Sequence, residues 1–174
     1  MIRKIAITGP ESTGKSILSI NLASYYKTVF VPEFAREYIN NLGRSYVQDD
    51  ILTIAHGQIN TENTLIKQAK KYLFCDTELT VCKIWSMVKY GNCNPLILNM
   101  LEQTPYKFYL LTDIDLPWEY DPQREHPHYR MQLFTMYKTE LEQAQKPYAI
   151  IQGSGEARVK NAIQAIESFF KKMQ

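Results

Sequence analysis

Cysteine is scarce in this chain, with only Cys75, Cys82 and Cys93 among 174 residues. An odd count without C-x-x-C spacing excludes a disulfide framework and a cysteine zinc site; three reduced thiols in a cytoplasmic protein are expected instead. Glycine and proline, 7 and 8 residues, form no repeat or low-complexity tract. Charge of one sign is lacking too. Lys and Arg total 20 against 18 Asp and Glu, a net charge of +2, so neither an acidic tail nor the basic surface of a nucleic-acid binder is expected. No apolar run approaches the ~18–20 residues of a membrane span. The segment from Met1 to Gly9 has too little apolar length for a signal peptide. What remains is a globular composition, 45% apolar and 22% charged, expected to form one domain over residues 1–174.

The apolar pattern alternates between strands and helices. Residues 2–8 are apolar and β-branched and run straight into Gly9 and Pro10, which predicts a buried strand. Residues 15–26 carry apolar positions at helical spacing. Further strands are predicted at 28–31, 72–75, 107–112 and 148–151. Helices are predicted at 34–41, from Asp49-Asp50 to about residue 70 with acidic residues at its positive end, at 78–89, at 95–103 with proline leading, at 129–145, and at 155–172. Short strands alternating with helices imply βαβ units, hence a three-layer α/β sandwich around a five-stranded parallel sheet. The longest irregular stretch, about 113–130, contains Pro117, Pro122 and Pro127. A loop of that length in a compact domain reads as a lid.

The strongest motif is Gly9-Pro10-Glu11-Ser12-Thr13-Gly14-Lys15-Ser16, which fits G-x-x-x-x-G-K-[ST] between a strand and a helix. Backbone N–H groups of such a loop surround phosphate oxygens, and the following helix adds its positive dipole end. Lys15 is expected at the β- and γ-phosphates and Ser16 on Mg²⁺. Gly9, Glu11, Ser12, Thr13 and Gly14 complete the nucleotide cradle. The fold is therefore that of the P-loop nucleoside triphosphate hydrolases. That motif is shared by ATPases, GTPases and small-molecule kinases.

Ligands of open parallel sheets collect at the carboxyl ends of the strands. Glu33, Arg36 and Glu37 follow the second strand; Glu33 is the candidate to take a proton from an acceptor hydroxyl, and Arg36 could clamp an anion or pair with Glu37. The bland reading of this segment is a solvated helix start. Asp76 ends the third strand as a Walker-B type carboxylate for Mg²⁺ would, or as a helix N-cap. Asp113 and Asp115 end the fourth strand, so that assignment is not unique; Asp76 is preferred because a helix follows it directly. Arg124 and Arg130 on the lid could stabilise a transferring phosphoryl group, or could simply pair with Glu119 and Glu125. Trp85, Tyr90 and Trp118 could stack on a flat ring, although such aromatics usually pack in cores. His126 and His128 lack other ligand residues nearby.

Taken in order, the P-loop, Pro32-Glu33-Phe34-Ala35-Arg36-Glu37-Tyr38, Ile54-Ala55-His56-Gly57-Gln58, Cys75-Asp76-Thr77 and Pro117-Trp118-Glu119-Tyr120-Asp121-Pro122-Gln123-Arg124 resemble the ribosylnicotinamide kinase domain of NadR-type proteins. That family lies within the nucleoside-kinase-like, AAA-type P-loop group. The resemblance covers nearly the whole chain. It implies phosphorylation of nicotinamide riboside by Mg·ATP, with Glu33 or Asp76 at the ribose hydroxyl and Arg124 at the transferring phosphate. The adenylyltransferase domain and DNA-binding module of full-length NadR are not expected here.

The resulting expectation is an ATP- and Mg²⁺-dependent kinase. Its catalytic residues would be Lys15, Glu33, Asp76 and Arg124, its nucleotide would also meet Arg130, and its nucleoside-like acceptor would meet Glu33, Arg36, Asp76, Trp85 and Trp118. The rival expectation is a regulatory ATPase or nucleotide switch, for which Gln58 is the one available water-positioning residue. No nucleic-acid or membrane partner is expected, and the sequence leaves the oligomeric state open.

Overall fold

The computed structural model describes residues 2–104 and 106–173. Met1, Pro105 and Gln174, which the single-domain span 1–174 includes, lie outside the described residues. Among the described residues, twelve elements follow one another: β1 (Arg3–Thr8), α1 (Lys15–Tyr25), β2 (Phe30–Val31), α2 (Phe34–Asn41), α3 (Gln48–Leu65), β3 (Tyr72–Asp76), α4 (Leu79–Tyr90), α5 (Pro95–Gln103), β4 (Phe108–Thr112), α6 (Arg130–Gln143), β5 (Tyr148–Ile151) and α7 (Gly155–Lys171). The strands form one sheet in the order β2-β3-β1-β4-β5. Every pairing is parallel, with Ile5 opposite Phe74 on one side and Phe108 on the other. The architecture is the three-layer α/β sandwich of the P-loop nucleoside triphosphate hydrolases.

Strand periodicity sorts the core into its layers, because successive side chains point to opposite faces. Ile5, Ile7, Phe74, Phe108 and Leu110 pack beneath Leu18 and Leu22 of α1 and Ala162, Ile166 and Phe170 of α7. Ala6, Leu73, Cys75, Tyr109 and Leu111 face Ile84 of α4 and Leu133, Tyr137 and Leu141 of α6. Both β3 and β4 are buried along their whole length, which is why they read as continuous apolar runs. Each fully buried Leu, Ile or Phe contributes about 1.5–3 kcal/mol by leaving water. A third cluster joins α2, α3, α4 and α5 around Ile51, Ile54, Leu79 and Ile97.

Several boundaries shift, each for a local reason. Helix α3 stops at Leu65 rather than near residue 70, because the chain turns there. Gln68 N donates to Leu65 O and Lys70 N to the Thr28 hydroxyl, which steers it into β3. Its N-cap position is Val47, not Asp49-Asp50. The Asp50 carboxylate instead reaches back to the Val47 N–H at 2.7 Å and takes a bidentate bond from Arg44. Asp76 does not cap α4: Glu78 does, accepting from Thr80 N at 2.7 Å. Ser154 occupies the N-cap position of α7, but its side chain makes no capping bond.

Helix α2 is fixed to α3 at one glycine. A Cβ on Gly57 would come within 2.2–2.5 Å of three ring atoms of Phe34, so the ring lies flat on bare backbone. Mid-helix Gly→Ala normally gains about 0.5–1 kcal/mol. Here overpacking costs about 1–3 kcal/mol, and we expect Gly57→Ala to be a net destabilisation, read as a lower urea midpoint with an unchanged m-value. A stabilised variant would show that Phe34 is free to move.

Candidate functional site

The P-loop leaves the end of β1, the middle strand of the sheet, and winds into α1. Its shape needs glycine twice. Gly9 has φ +134° and Gly14 φ +75°; a Cβ on Gly9 would meet Thr112 Oγ1 at 2.6 Å. Behind the loop the Thr13 and Thr112 hydroxyls lie 2.7 Å apart. Thr13 donates to Pro10 O, and Thr112 donates to Thr8 O. Lys15 folds over the loop, its Nζ donating to Gly9 O and Pro10 O at 3.0 and 2.7 Å. Burial holds the ammonium below its ordinary pKa, opposed by the carboxylates of Glu33, Asp76 and Glu11 and reinforced by Arg124.

Acidic groups gather opposite. Asp76, at the last position of β3, is 2% exposed. Burial raises its pKa to about 6, the Glu33 carboxylate adds to the rise, and Ser16 and Lys15 oppose it. Its Oδ1 has no hydrogen-bond partner. A buried, unpartnered carboxylate oxygen beside a serine hydroxyl is the donor set that suits Mg²⁺, so the residues present fit the ion. Glu33 sits at the N-cap of α2 with Arg36 Nε 3.9 Å from its carboxylate. Glu78, 1% exposed, accepts from Thr8 and Thr80; burial pushes its carboxyl up to about 7 despite these bonds.

Residues 113–129 carry no helix or strand and lie over the loop, and the expected lid span of about 113–130 ends one residue short because Arg130 opens α6. Glu11 accepts from the N–H groups of Glu125 and His126, and Ser12 Oγ accepts from Glu119 N. Arg124 bonds Ser12 Oγ and Glu119 O. The far side is tied to α2, where Arg36 meets Asp121 at 2.8 Å and Gln123 meets Asn40. A second knot reaches α4. Tyr46 donates to the Glu125 carboxylate at 2.9 Å and accepts from Trp85 Nε1 at 2.8 Å, and Lys89 reaches both Tyr46 and Glu125.

Beneath this cover is a cavity of about 390 Å³. Its walls include every residue of the P-loop from Gly9 to Ser16, together with Glu33, Arg36, Trp85 and Arg124. Asp76 is not itself a lining residue but interacts with Ser16 and Lys15, which are. Two residues expected at the ligands stand elsewhere. Trp118 is not on the wall; its ring lies 6.0 Å from the guanidinium carbons of both Arg124 and Arg130. Arg130 bonds Ser12 O and Leu116 O, bracing loop to lid. Gln58 does not reach the P-loop; its Oε1 accepts from Phe34 N at 3.0 Å.

Sequence reasoning missed Arg158, Tyr46 and Glu78. Arg158 of α7 is 4% exposed. It bonds Thr13 O and Asp113 O at 2.9 Å, Gly153 O at 2.6 Å and the Asp115 carboxylate at 2.7 Å. The signal was its spacing: with Ala162, Ile166 and Phe170 it lies on the buried stripe of α7, where an arginine needs partners. Asp115 is thereby spent on Arg158 rather than on a metal. Tyr46 had no sequence signal, since its partners lie 39 and 79 residues away.

The two raised carboxyls predict a pH effect on the free protein. The folded state retains a proton on Glu78 to about pH 7, whereas the unfolded chain releases it near 4.5. Stability therefore falls as pH rises through that window, and Asp76 acts in the same direction between 3.8 and about 6. Glu78→Gln is expected to flatten the fall of Tm between about pH 6 and 7 without nucleotide or Mg²⁺. An unchanged slope would mean that Glu78 titrates normally.

The chain is similar to known proteins throughout this region. It is 27% identical over 124 residues to the trifunctional NAD biosynthesis/regulator protein NadR of Escherichia coli strain K12, covering 69% of this chain and 30% of that protein. The NadR structure in complex with NR superimposes with a TM-score of 0.79 at 18% identity, over 96% of this chain and 50% of that one. For NadR with NAD and AMP-PNP the TM-score is 0.74 at 20% identity, over 96% and 49%. The thymidylate kinase of Ehrlichia chaffeensis matches with a TM-score of 0.67 at 15% identity, over 99% and 98%. The chain thus spans about a third of the curated relative and about half of the NadR structures. The family model described as AAA domain matches residues 4–158, which take in the P-loop, Glu33, Asp76 and Arg124, and the chain belongs to that family.

Proposed function

We propose that this chain is a kinase that transfers the γ-phosphoryl group of ATP to a hydroxyl of a nucleoside-like acceptor, with nicotinamide riboside the first candidate. One observation carries the reading. A single cavity joins the phosphate loop and Lys15 at one end to Glu33 and Trp85 at the other, beneath a lid that presents Arg124. The similarity to a NAD biosynthesis protein, and the likeness of fold to NadR with NR, favour the pyridine riboside over other nucleosides.

The chemistry assigned to the residues is an in-line displacement. The acceptor oxygen forms a bond to the γ-phosphorus, the bond to the β,γ-bridging oxygen breaks, and ADP leaves. The acceptor proton passes to Glu33, which borders the cavity; Asp76 is the alternative base. Lys15 and the P-loop N–H groups hold the β- and γ-phosphates, and Arg124 meets charge that grows on the transferring group. The lid excludes water that would otherwise consume the phosphoryl group. Ser16 and Asp76 would hold Mg²⁺, which when bound neutralises phosphate charge.

The test is ADP release from Mg·ATP across a panel of ribonucleosides, deoxynucleosides and mononucleotides, with the product identified by mass. Strong stimulation by one acceptor with a phosphorylated product is expected. Acceptor-independent hydrolysis would move the reading to a regulatory ATPase. Lys15→Ala is expected to abolish transfer and weaken ATP binding; full activity would overturn the phosphate-loop assignment. Arg124→Ala is expected to lower kcat on the order of 10²–10³-fold with a much smaller change in the KM for ATP, since its contact strengthens in the reacting state. An effect confined to KM would argue against that role.

A further inference from the structure

Among the described residues, six side chains carry a buried polar atom without a partner: Tyr26, Gln58, Asp76, Tyr109, Arg130 and Arg158. Asp76 is accounted for by its fit to Mg²⁺. Arg130 and Arg158 spend their other guanidinium nitrogens on several bonds. Tyr26 packs among core aromatic rings, and the Tyr109 ring lies in the core between sheet and helices. Gln58 differs, because it borders a space. A small annex of about 20 Å³ is lined by Gln58, Thr77, Glu78 and Cys82, and also by Glu33, Ala35, Val81 and Trp85. The last four also line the large cavity, so the annex opens off its acceptor end.

The Gln58 amide has a determined orientation. The atom 3.0 Å from Phe34 N accepts from a backbone N–H, so it is the oxygen. The side chain is 97% withdrawn from solvent, with 3% exposed, and its Nε2 is the atom left without a partner. Phe34, pressed on Gly57, fixes the backbone group that holds the amide. A buried donor with nothing to donate to is costly, and the annex has room for about one or two heavy atoms.

We infer that Gln58 is a specificity residue of the acceptor site, its Nε2 donating to a carbonyl or carboxamide oxygen on the acceptor's ring seated in the annex between Glu33 and Trp85. This rests on the kinase reading and deepens it. The donor selects acceptors whose ring projects an oxygen that accepts a hydrogen bond, and rejects those that place hydrogen or carbon there. Trp85 lines the same space and offers its ring face to the ring that bears the oxygen.

The experiment compares pairs of acceptors that differ only in this oxygen: nicotinamide riboside with the pyridinium riboside that lacks the carboxamide, and inosine with purine riboside. Wild-type enzyme is expected to favour the oxygen-bearing member of its preferred pair by about tenfold or more in kcat/KM. Gln58→Met is expected to erase that preference while leaving the KM for ATP within about twofold. Equal loss on both members, or an intact preference in the variant, would mean that Gln58 only braces α2 or holds a fixed water, and would overturn the inference. Gln58→Glu keeps an oxygen for the Phe34 N–H and replaces the donor. It is the second variant should Gln58→Met fold poorly: loss of the preference supports the inference, and its retention overturns it. A wild-type protein that phosphorylates no acceptor overturns the kinase reading and this inference with it. A wild-type kinase without preference within either pair overturns this inference alone.

Discussion

Backbone N–H groups can hold a phosphate only in a loop that does not relax into its own hydrogen bonds. Here the P-loop is gripped from behind. The Thr13 and Thr112 hydroxyls meet 2.7 Å apart, and Arg158 binds Thr13 O from α7. Gly9 lies so close to Thr112 that no side chain fits. Three separate strands are thereby linked at their carboxyl ends: β1 through the loop itself, β4 through Thr112 and Asp113, and β5 through Gly153. The rest of the site takes its position from this anchored loop.

The lid depends on it directly. Glu11 and Ser12 supply the acceptors that hold residues 119, 125 and 126, and Arg130 joins Ser12 O to Leu116 O. On the α4 side, Glu125 is held by Tyr46, which also bonds Trp85. One lid residue thus meets the phosphate loop through its backbone and the Tyr46–Trp85 pair through its side chain. A lid tied at both ends keeps Arg124 beside the phosphate loop, bonded to Ser12 Oγ.

Charge within the cavity is arranged with the same economy. Lys15, Arg36 and Arg124 lie among Glu11, Glu33 and Asp76, and the opposite charges temper the cost of burial at Lys15 and Asp76. Burial dominates at Asp76, so its carboxyl stays near the neutral range where a cation or a proton could occupy it. Glu78 shares that burial but not the role, because its oxygens are taken by Thr8 and Thr80; it shapes the turn from β3 into α4.

Local chemistry made much of this readable in advance. Buried β-strands and amphipathic helices announce themselves by apolar period, so α2, α5 and β5 fall at their expected residues and the other elements within a few. The phosphate loop is legible because its function requires a contiguous run of glycines, lysine and serine, and the Glu33, Asp76 and Arg124 segments stand out as charges just beyond strands or in a long loop. Trp118 misled because an aromatic on a lid can line the cavity or stand off its wall, and only the folded loop decides. Which acidic strand end is free was likewise settled in three dimensions, since Asp115 is occupied by an arginine 43 residues later. The Tyr46 knot, the Arg158 clamp and the annex at Gln58 all join residues distant in sequence. The sequence by itself determined the strands, the helices and the phosphate loop, because short-range sterics and periodicity encode them. Tertiary packing decided which polar groups are satisfied and which remain free for a ligand, because that depends on neighbours no local pattern specifies.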